Sequence, residues 1–186
     1  MDTLQNKRDI FQGRCSIWVK NDATNLDDFR GDSFPKKLLI SLSSKCNTRC
    51  MYCPRSYRKP PSEQFMTKET IDRVIDDFFG KVQAMQIGGN DLGEQMFSPY
   101  FCYFLEKAGQ PSIDIDMITN GMFIEKNNAA LIVATLSNIS ISVEGMGKNY
   151  ELIRAFNWEK LRNNIRLLVN ERDRVKKDKP LLIFLG

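Results

Sequence analysis

Cys46, Cys50 and Cys53 stand within a single loop, Cys46-Asn47-Thr48-Arg49-Cys50-Met51-Tyr52-Cys53, with the spacing C-x3-C-x2-C. Three thiols this close in sequence cannot all be used by one disulfide, and their natural common partner is a metal centre. The apolar run Leu38-Leu39-Ile40-Ser41-Leu42 just upstream has the length of a buried strand. The loop therefore hangs from a strand's C-terminal end, which is where parallel α/β sheets bind their ligands. The chain has 5 Cys and no His. Lack of histidine excludes imidazole bases, Cys/His zinc fingers and histidine-held haem.

The rest of the chain alternates strand and helix signals. Thr67 offers an N-cap to a helix carrying Ile71, Val74, Ile75, Phe78 and Phe79, with Gly80 as its stop. Val82–Ile87 reads as a strand, followed by the glycine-rich loop Gly88–Gly93. Ser98-Pro99 predicts the start of a helix running to Gly109. Ile113–Ile118 is a strand, Thr119-Asn120-Gly121 a turn and Asn128–Leu136 a helix. Ile139–Val143 is a strand, Asn157 caps a helix through Val169, and Leu181–Leu185 is a last strand. This rhythm predicts an α/β fold with five parallel strands and right-handed helical crossovers.

Parallel strands covered on both faces read as continuous apolar runs. Two strands here alternate instead, as Ile113/Asp114/Ile115/Asp116/Met117 and Ile139/Ser140/Ile141/Ser142/Val143/Glu144. One face of each is apolar and the other polar, so helices cover one face and the other looks into a cavity. Asp114 and Asp116 are candidate substrate contacts on that polar face.

With 186 residues, the chain has room for one domain of ordinary globular composition, 42% apolar and 27% charged. Residues 1–36 read as an irregular N-terminal arm with at most a short strand around Cys15–Val19, and 37–186 as the core domain. Net charge is +4, which does not by itself imply nucleic acid. No apolar run approaches a membrane span and Met1–Phe11 lacks the h-region of a signal peptide, so the expected location is the cytoplasm. Odd cysteine number and the absence of a secretory signal argue against a disulfide framework.

The loop cysteines admit more than one centre. Three thiolates can hold three corners of a cubane iron–sulfur cluster, leaving one iron with an exchangeable position. A structural zinc site with four cysteine ligands would need Cys15 or Cys102 as the fourth. A redox C-x-x-C would use Cys50 and Cys53 alone. Cys15 and Cys102, isolated in sequence, read as buried structural thiols.

Extended through Pro54, the loop resembles the cluster loop of the radical S-adenosylmethionine (SAM) superfamily, in the CNxxCxYCP form of its SPASM/twitch-type members. Gly93-Glu94 resembles that family's GE motif and Ile118-Thr119-Asn120-Gly121 its TNG turn. Ile141-Ser142-Val143-Glu144-Gly145 with Tyr150-Glu151-Leu152-Ile153-Arg154 resembles its S-x-D-G … Y-x-x-I-R stretch. The resemblance implies a partial (β/α) barrel with outer helices, about five strands present of the family's six, and hence a core incomplete at its C-terminus. It implies a [4Fe–4S] cluster on Cys46, Cys50 and Cys53, with SAM on the open iron. Tyr52 would lie along the adenine, Gly93 and Glu94 would meet the methionine amino group, Ser142 the ribose or methionine portion, and Arg154 the carboxylate. Gln95 departs from the family pattern, where proline is usual, and Glu144 stands where Asp is common.

The implied reaction is reductive cleavage of SAM to a 5′-deoxyadenosyl radical that abstracts a substrate hydrogen. Partners then include a peptide or small-molecule substrate, a one-electron donor such as flavodoxin or ferredoxin, and a chain that completes the barrel; neither membrane nor nucleic acid is expected. Arg55, Arg58 and Lys59 could steer an anionic partner. Two other readings stand beside this one: a cluster-bearing but non-catalytic module or partner subunit, and a structural zinc-binding α/β domain.

Overall fold

Five segments form the parallel strands β2 (Lys37–Ile40), β3 (Ala84–Ile87), β4 (Asp114–Thr119), β5 (Asn138–Ser142) and β6 (Leu181–Leu185) of one sheet. They lie side by side in chain order, and β1 (Trp18–Lys20) adds to β2 in the antiparallel sense. The computed structural model describes residues 18–20, 35–57, 63–89, 93–109 and 113–185. Cys15, Arg58, Lys59 and 90–92 of the glycine-rich loop lie outside them.

Helices make the crossovers that parallel neighbours require. They are α1 (Pro54–Tyr57), α2 (Lys68–Phe78), α3 (Phe101–Ala108), α4 (Lys126–Thr135), α5 (Lys148–Arg154) and α6 (Trp158–Arg174). Caps place their starts. Thr67 accepts from the Thr70 amide, Asn157 accepts from the Lys160 amide, and Glu125 and Asn128 form a capping box at α4. The helix expected from Ser98-Pro99 begins later, at Phe101, because the preceding residues Gln95–Phe97 form a 3-10 turn that ends at Ser98. Helices α1 and α5 carry no separate sequence signal; both are short and sit inside the motifs that line the site.

The expected two-faced sheet is present. Leu38, Ile40, Met85, Ile87, Ile115, Met117, Ile139 and Ile141 are buried in the core against the helices, with Phe104, Leu105, Ile132, Leu161 and Leu168 among the residues opposite. The other face carries the half-buried row Leu39, Gln86, Asp116 and Asn138, aligned across four strands by the register. Asp116 accepts from Asn138 Nδ2 at 2.6 Å on that face. Asp114 is different from the expectation. It begins β4, is exposed, and pairs with Ser137 and Lys179 at the sheet's N-terminal edge, far along the strand from the ligand end.

Candidate functional site

The segment Ser41–Cys53 leaves the C-terminal end of β2 and is tied down on both sides by backbone. On one side Met66 N–H donates to Leu42 O (2.9 Å) and Ser44 N–H to Gln64 O (2.9 Å). On the other, Glu94 N–H donates to Lys45 O at 2.7 Å, so the loop after β3 runs against the base of the cysteine loop. Further along, Met51 N–H donates to Ile153 O of α5 (2.9 Å) and Ser56 Oγ to Cys50 O (2.7 Å).

Gln95 explains how this junction holds without the proline usual in the family. It is fully buried, and its Oε1 accepts from Leu42 N–H (2.6 Å) and Ser43 N–H (3.2 Å), while Nε2 donates to Ser43 O (3.3 Å). One amide thus satisfies two main-chain donors where β2 becomes the cysteine loop. Gln95→Leu keeps the bulk and removes the acceptor. We expect it to cost roughly 2–6 kcal/mol, from two buried donors losing an acceptor at about 1–3 kcal/mol each. Denaturant unfolding checks this as a lower midpoint with an unchanged slope.

Cys46, Cys50 and Cys53 line one cavity of about 330 Å3, together with Thr48, Tyr52, Gly89, Gly93, Glu94, Ile118, Thr119, Asn120, Ser142, Glu144 and Arg154. Every residue that the family resemblance assigns to the cluster or to SAM is therefore on this wall. Cys50 is buried and Cys46 and Cys53 are half-buried. The Thr48 hydroxyl bridges two of the thiols, 3.2 Å from Cys46 Sγ and 3.5 Å from Cys50 Sγ. Cys102 lies on α3, half-buried against the core, where burial and then the nearby Glu106 raise its thiol pKa.

Two polar networks frame the thiols. In the first, buried Glu94 accepts from Thr119 Oγ1 (2.7 Å), Asn120 N–H (2.7 Å) and Met96 N–H (3.2 Å). Asn120 then reaches back to the cysteine loop, donating to Asn47 Oδ1 at 2.8 Å with Cys46 Sγ at 4.0 Å. Its Oδ1 accepts from Met122 N–H (3.0 Å), while Gly121 turns the chain with φ +74°.

In the second network, Arg154 of α5 is buried and forms a two-pronged ion pair with Glu144 through Nε and Nη2. Its Nη1 donates to Cys50 Sγ at 3.2 Å, and the guanidinium sits 5.4 Å over the Tyr52 ring. Tyr52 OH donates to Glu144 Oε1 at 2.7 Å. Burial opposes the charge of Arg154, but the bond to Glu144 and the neighbouring Cys50 outweigh it and raise the pKa. Burial, then the hydrogen bond to Glu144, carries the Tyr52 hydroxyl well above the ordinary tyrosine range.

Cys46, Cys50 and Cys53 come from one loop and line one cavity, so three thiolates can be offered to three corners of a cubane cluster, each to a different iron. The donor set fits an iron–sulfur cluster.

Residues 40–178 match the family model described as the radical SAM superfamily. The chain belongs to the radical SAM superfamily. Radical SAM proteins use a [4Fe–4S] cluster and SAM. A curated relative, a probable GTP 3′,8-cyclase of Methanocaldococcus jannaschii, is 29% identical over 140 residues, covering 73% of this chain and 46% of the relative. The GTP 3′,8-cyclase of Aquifex aeolicus is 30% identical over 125 residues, covering 63% and 38%. This radical SAM chain thus spans less than half the length of either. Among solved structures, native anSMEcpe with bound AdoMet superposes with a TM-score of 0.59 at 20% identity, covering 81% of this chain and 42% of that one. BtrN in complex with AdoMet and 2-DOIA gives a TM-score of 0.59 at 17% identity, covering 83% and 58%. The fold is accordingly the partial β/α barrel of these radical SAM proteins.

From sequence, Thr119, Asn120 and Gly121 read as a turn that resembles the family's TNG motif, Gly89 as part of the glycine-rich loop, and Glu144 as sharing a polar face with Ser140 and Ser142, while Thr48 carries no role. Glu144 lies two residues beyond the end of β5, so the alternation that marks Ser140 and Ser142 does not reach its pairing with Arg154. Nothing local announces that Thr48 contacts two thiols. Among the described residues no helix is long and apolar enough to cross a membrane.

Proposed function

We propose that this chain is the core of a radical SAM enzyme, in which Cys46, Cys50 and Cys53 ligate a [4Fe–4S] cluster and the adjoining cavity takes SAM. One observation carries the reading: the thiols of a single loop share their cavity with Gly93, Glu94, Ser142 and Arg154, which come from three other segments. Together, cluster and SAM supply one-electron cleavage of the sulfonium, giving methionine and a 5′-deoxyadenosyl radical that removes a substrate hydrogen.

The chain's own residues orient and enclose. Tyr52, half-exposed at the cavity wall, offers its ring to the adenine. Glu94 and Gly93 meet the methionine amino group; Thr119 and Asn120 hold the Glu94 carboxyl in place beforehand, which lowers the cost of ordering it on binding. Ser142, at the end of β5, contacts the ribose or methionine portion. Arg154 has five N–H groups, and its bonds to Glu144 and Cys50 use three. One N–H on each terminal nitrogen is left for the methionine carboxylate, a two-pronged contact.

Residues 37–186 form the core domain in this reading, with 1–36 an N-terminal arm, and the protein works in the cytoplasm. A flavodoxin- or ferredoxin-like donor supplies the electron. GTP, on which the named relatives act, is the first substrate to try.

Anaerobic reconstitution followed by iron and sulfide analysis and electron paramagnetic resonance tests the proposal. We expect a reduced four-iron signal that changes when SAM is added, with 5′-deoxyadenosine as product. A cluster signal indifferent to SAM would favour a non-catalytic module, and stoichiometric zinc without sulfide would overturn the cluster altogether.

A further inference from the structure

Among the described residues, a buried cation contacts the Cys50 thiol and neither of the other two. Arg154 Nη1 lies 3.2 Å from Cys50 Sγ, whereas Cys46 has the Thr48 hydroxyl at 3.2 Å and a distant Asn120 amide at 4.0 Å. Arginine is a long side chain with several torsions, and something must hold its planar fork in this pose. Glu144 does so by gripping Nε and Nη2, the edge that leaves Nη1 turned to sulfur. Tyr52 completes the clamp, its hydroxyl on Glu144 and its ring under the guanidinium.

Resting on the cluster assignment above, we propose that Glu144 is a positioning residue: it sets Arg154 against Cys50 Sγ, and Arg154 thereby makes the cluster easier to reduce. The step concerned is the uptake of one electron from an external reductant, with no bond made or broken. Reduction adds negative charge to a cluster whose sulfurs share it. A fixed cation donating a hydrogen bond to one ligand sulfur therefore stabilises the reduced form more than the oxidised one. The same Glu144 brings a negative charge of its own near the cluster, so its net effect depends on where it holds Arg154. This separates a positioning role from a simple charge effect.

The test is a redox titration of the reconstituted chain, using dithionite and mediators and monitored by electron paramagnetic resonance. The variants are Arg154→Gln, Glu144→Asp and the double substitution, each checked for iron content and circular dichroism. Arg154→Gln is expected to lower the reduced-to-oxidised ratio at fixed potential by roughly tenfold, equivalent to about 59 mV for one electron. Glu144→Asp keeps the charge but withdraws the carboxylate by one methylene, taking the guanidinium away from sulfur; a smaller shift in the same direction is expected. In the Arg154→Gln background the Glu144→Asp shift should vanish, since the group it acts through is gone.

An unchanged potential in Arg154→Gln, or a Glu144→Asp shift of equal size in both backgrounds, would overturn the proposal. Arg154→Lys covers the case in which Arg154→Gln fails to fold. It keeps the charge but lacks a fork to serve Glu144 and Cys50 together, so an intermediate shift supports the proposal and a wild-type potential refutes it. If the unsubstituted chain takes up no iron–sulfur cluster, it is the cluster assignment itself that fails, which the iron and sulfide analysis reveals before any titration.

Discussion

Alanine at Gly93 is expected to unfold the site and lower the stability of the chain by about 4 kcal/mol or more, which is at the severe end for a single substitution. The reason is space. A Cβ at this position would stand 1.8 Å from Ser43 O, with Ser43 C at 2.8 Å and Ser44 Cα at 2.9 Å. All three are backbone atoms, so no side chain can swing aside to make room. Relief requires the loop after β3 to move off the Ser43–Lys45 segment, which breaks the 2.7 Å bond from Glu94 N–H to Lys45 O. It also pulls Gln95 away from Leu42 and Ser43. Gly80→Ala is the control. There a Cβ meets nothing within 4 Å, and only the positive φ of +79° is penalised, at about 1–2 kcal/mol. Equal unfolding midpoints for the two variants would show that the backbone contact at Gly93 is not what holds this junction.

Substituting any one of Cys46, Cys50 or Cys53 by alanine is expected to reduce the iron bound after reconstitution to near background. Cys102→Ala should leave it unchanged. In the proposed arrangement three thiolates anchor the cluster, so losing one would leave a corner without a protein ligand beside the corner already open, both accessible to solvent and chelator. Cys102 lies on α3, half-buried against the core, and it is not among the residues lining the cavity. Iron and sulfide analysis on the four variants, alongside unfolding curves, separates loss of the cluster from loss of the fold. Iron retained in the loop variants but lost in Cys102→Ala would point instead to a centre that uses Cys102.

The two sets of variants probe different levels of the same loop. Gly93 decides whether the cysteine segment can lie against its neighbour; the cysteines decide what that segment can bind. Gln95 belongs with Gly93. Its amide takes over, by hydrogen bonding, an ordering task at the position where the family usually has a rigid proline. A polar side chain at 0% exposure is tolerated there because its partners are main-chain groups that need an acceptor and a donor in any case.

Much of this protein is legible in its residues alone, because the signals are local. The C-x3-C-x2-C spacing and the apolar run before it predict three thiols on a loop at a strand's C-terminal end, where the structure has them. Strand periodicity likewise separates Ile139 and Ile141 from Ser140 and Ser142, since alternate side chains must take opposite faces. Caps such as Thr67 and Asn157 mark helix starts because their side chains bond amides only a few residues away. Tertiary structure alone decided the pairings that join distant segments: Glu94 with Thr119 and Asn120, Gln95 with Leu42, and Arg154 with Cys50 across 104 residues. These contacts depend on strand order, register and the approach of loops at one end of the sheet. A hydrogen bond reaches only ~3 Å, so its partner is set by where the backbone has been carried and leaves no periodic trace in the chain.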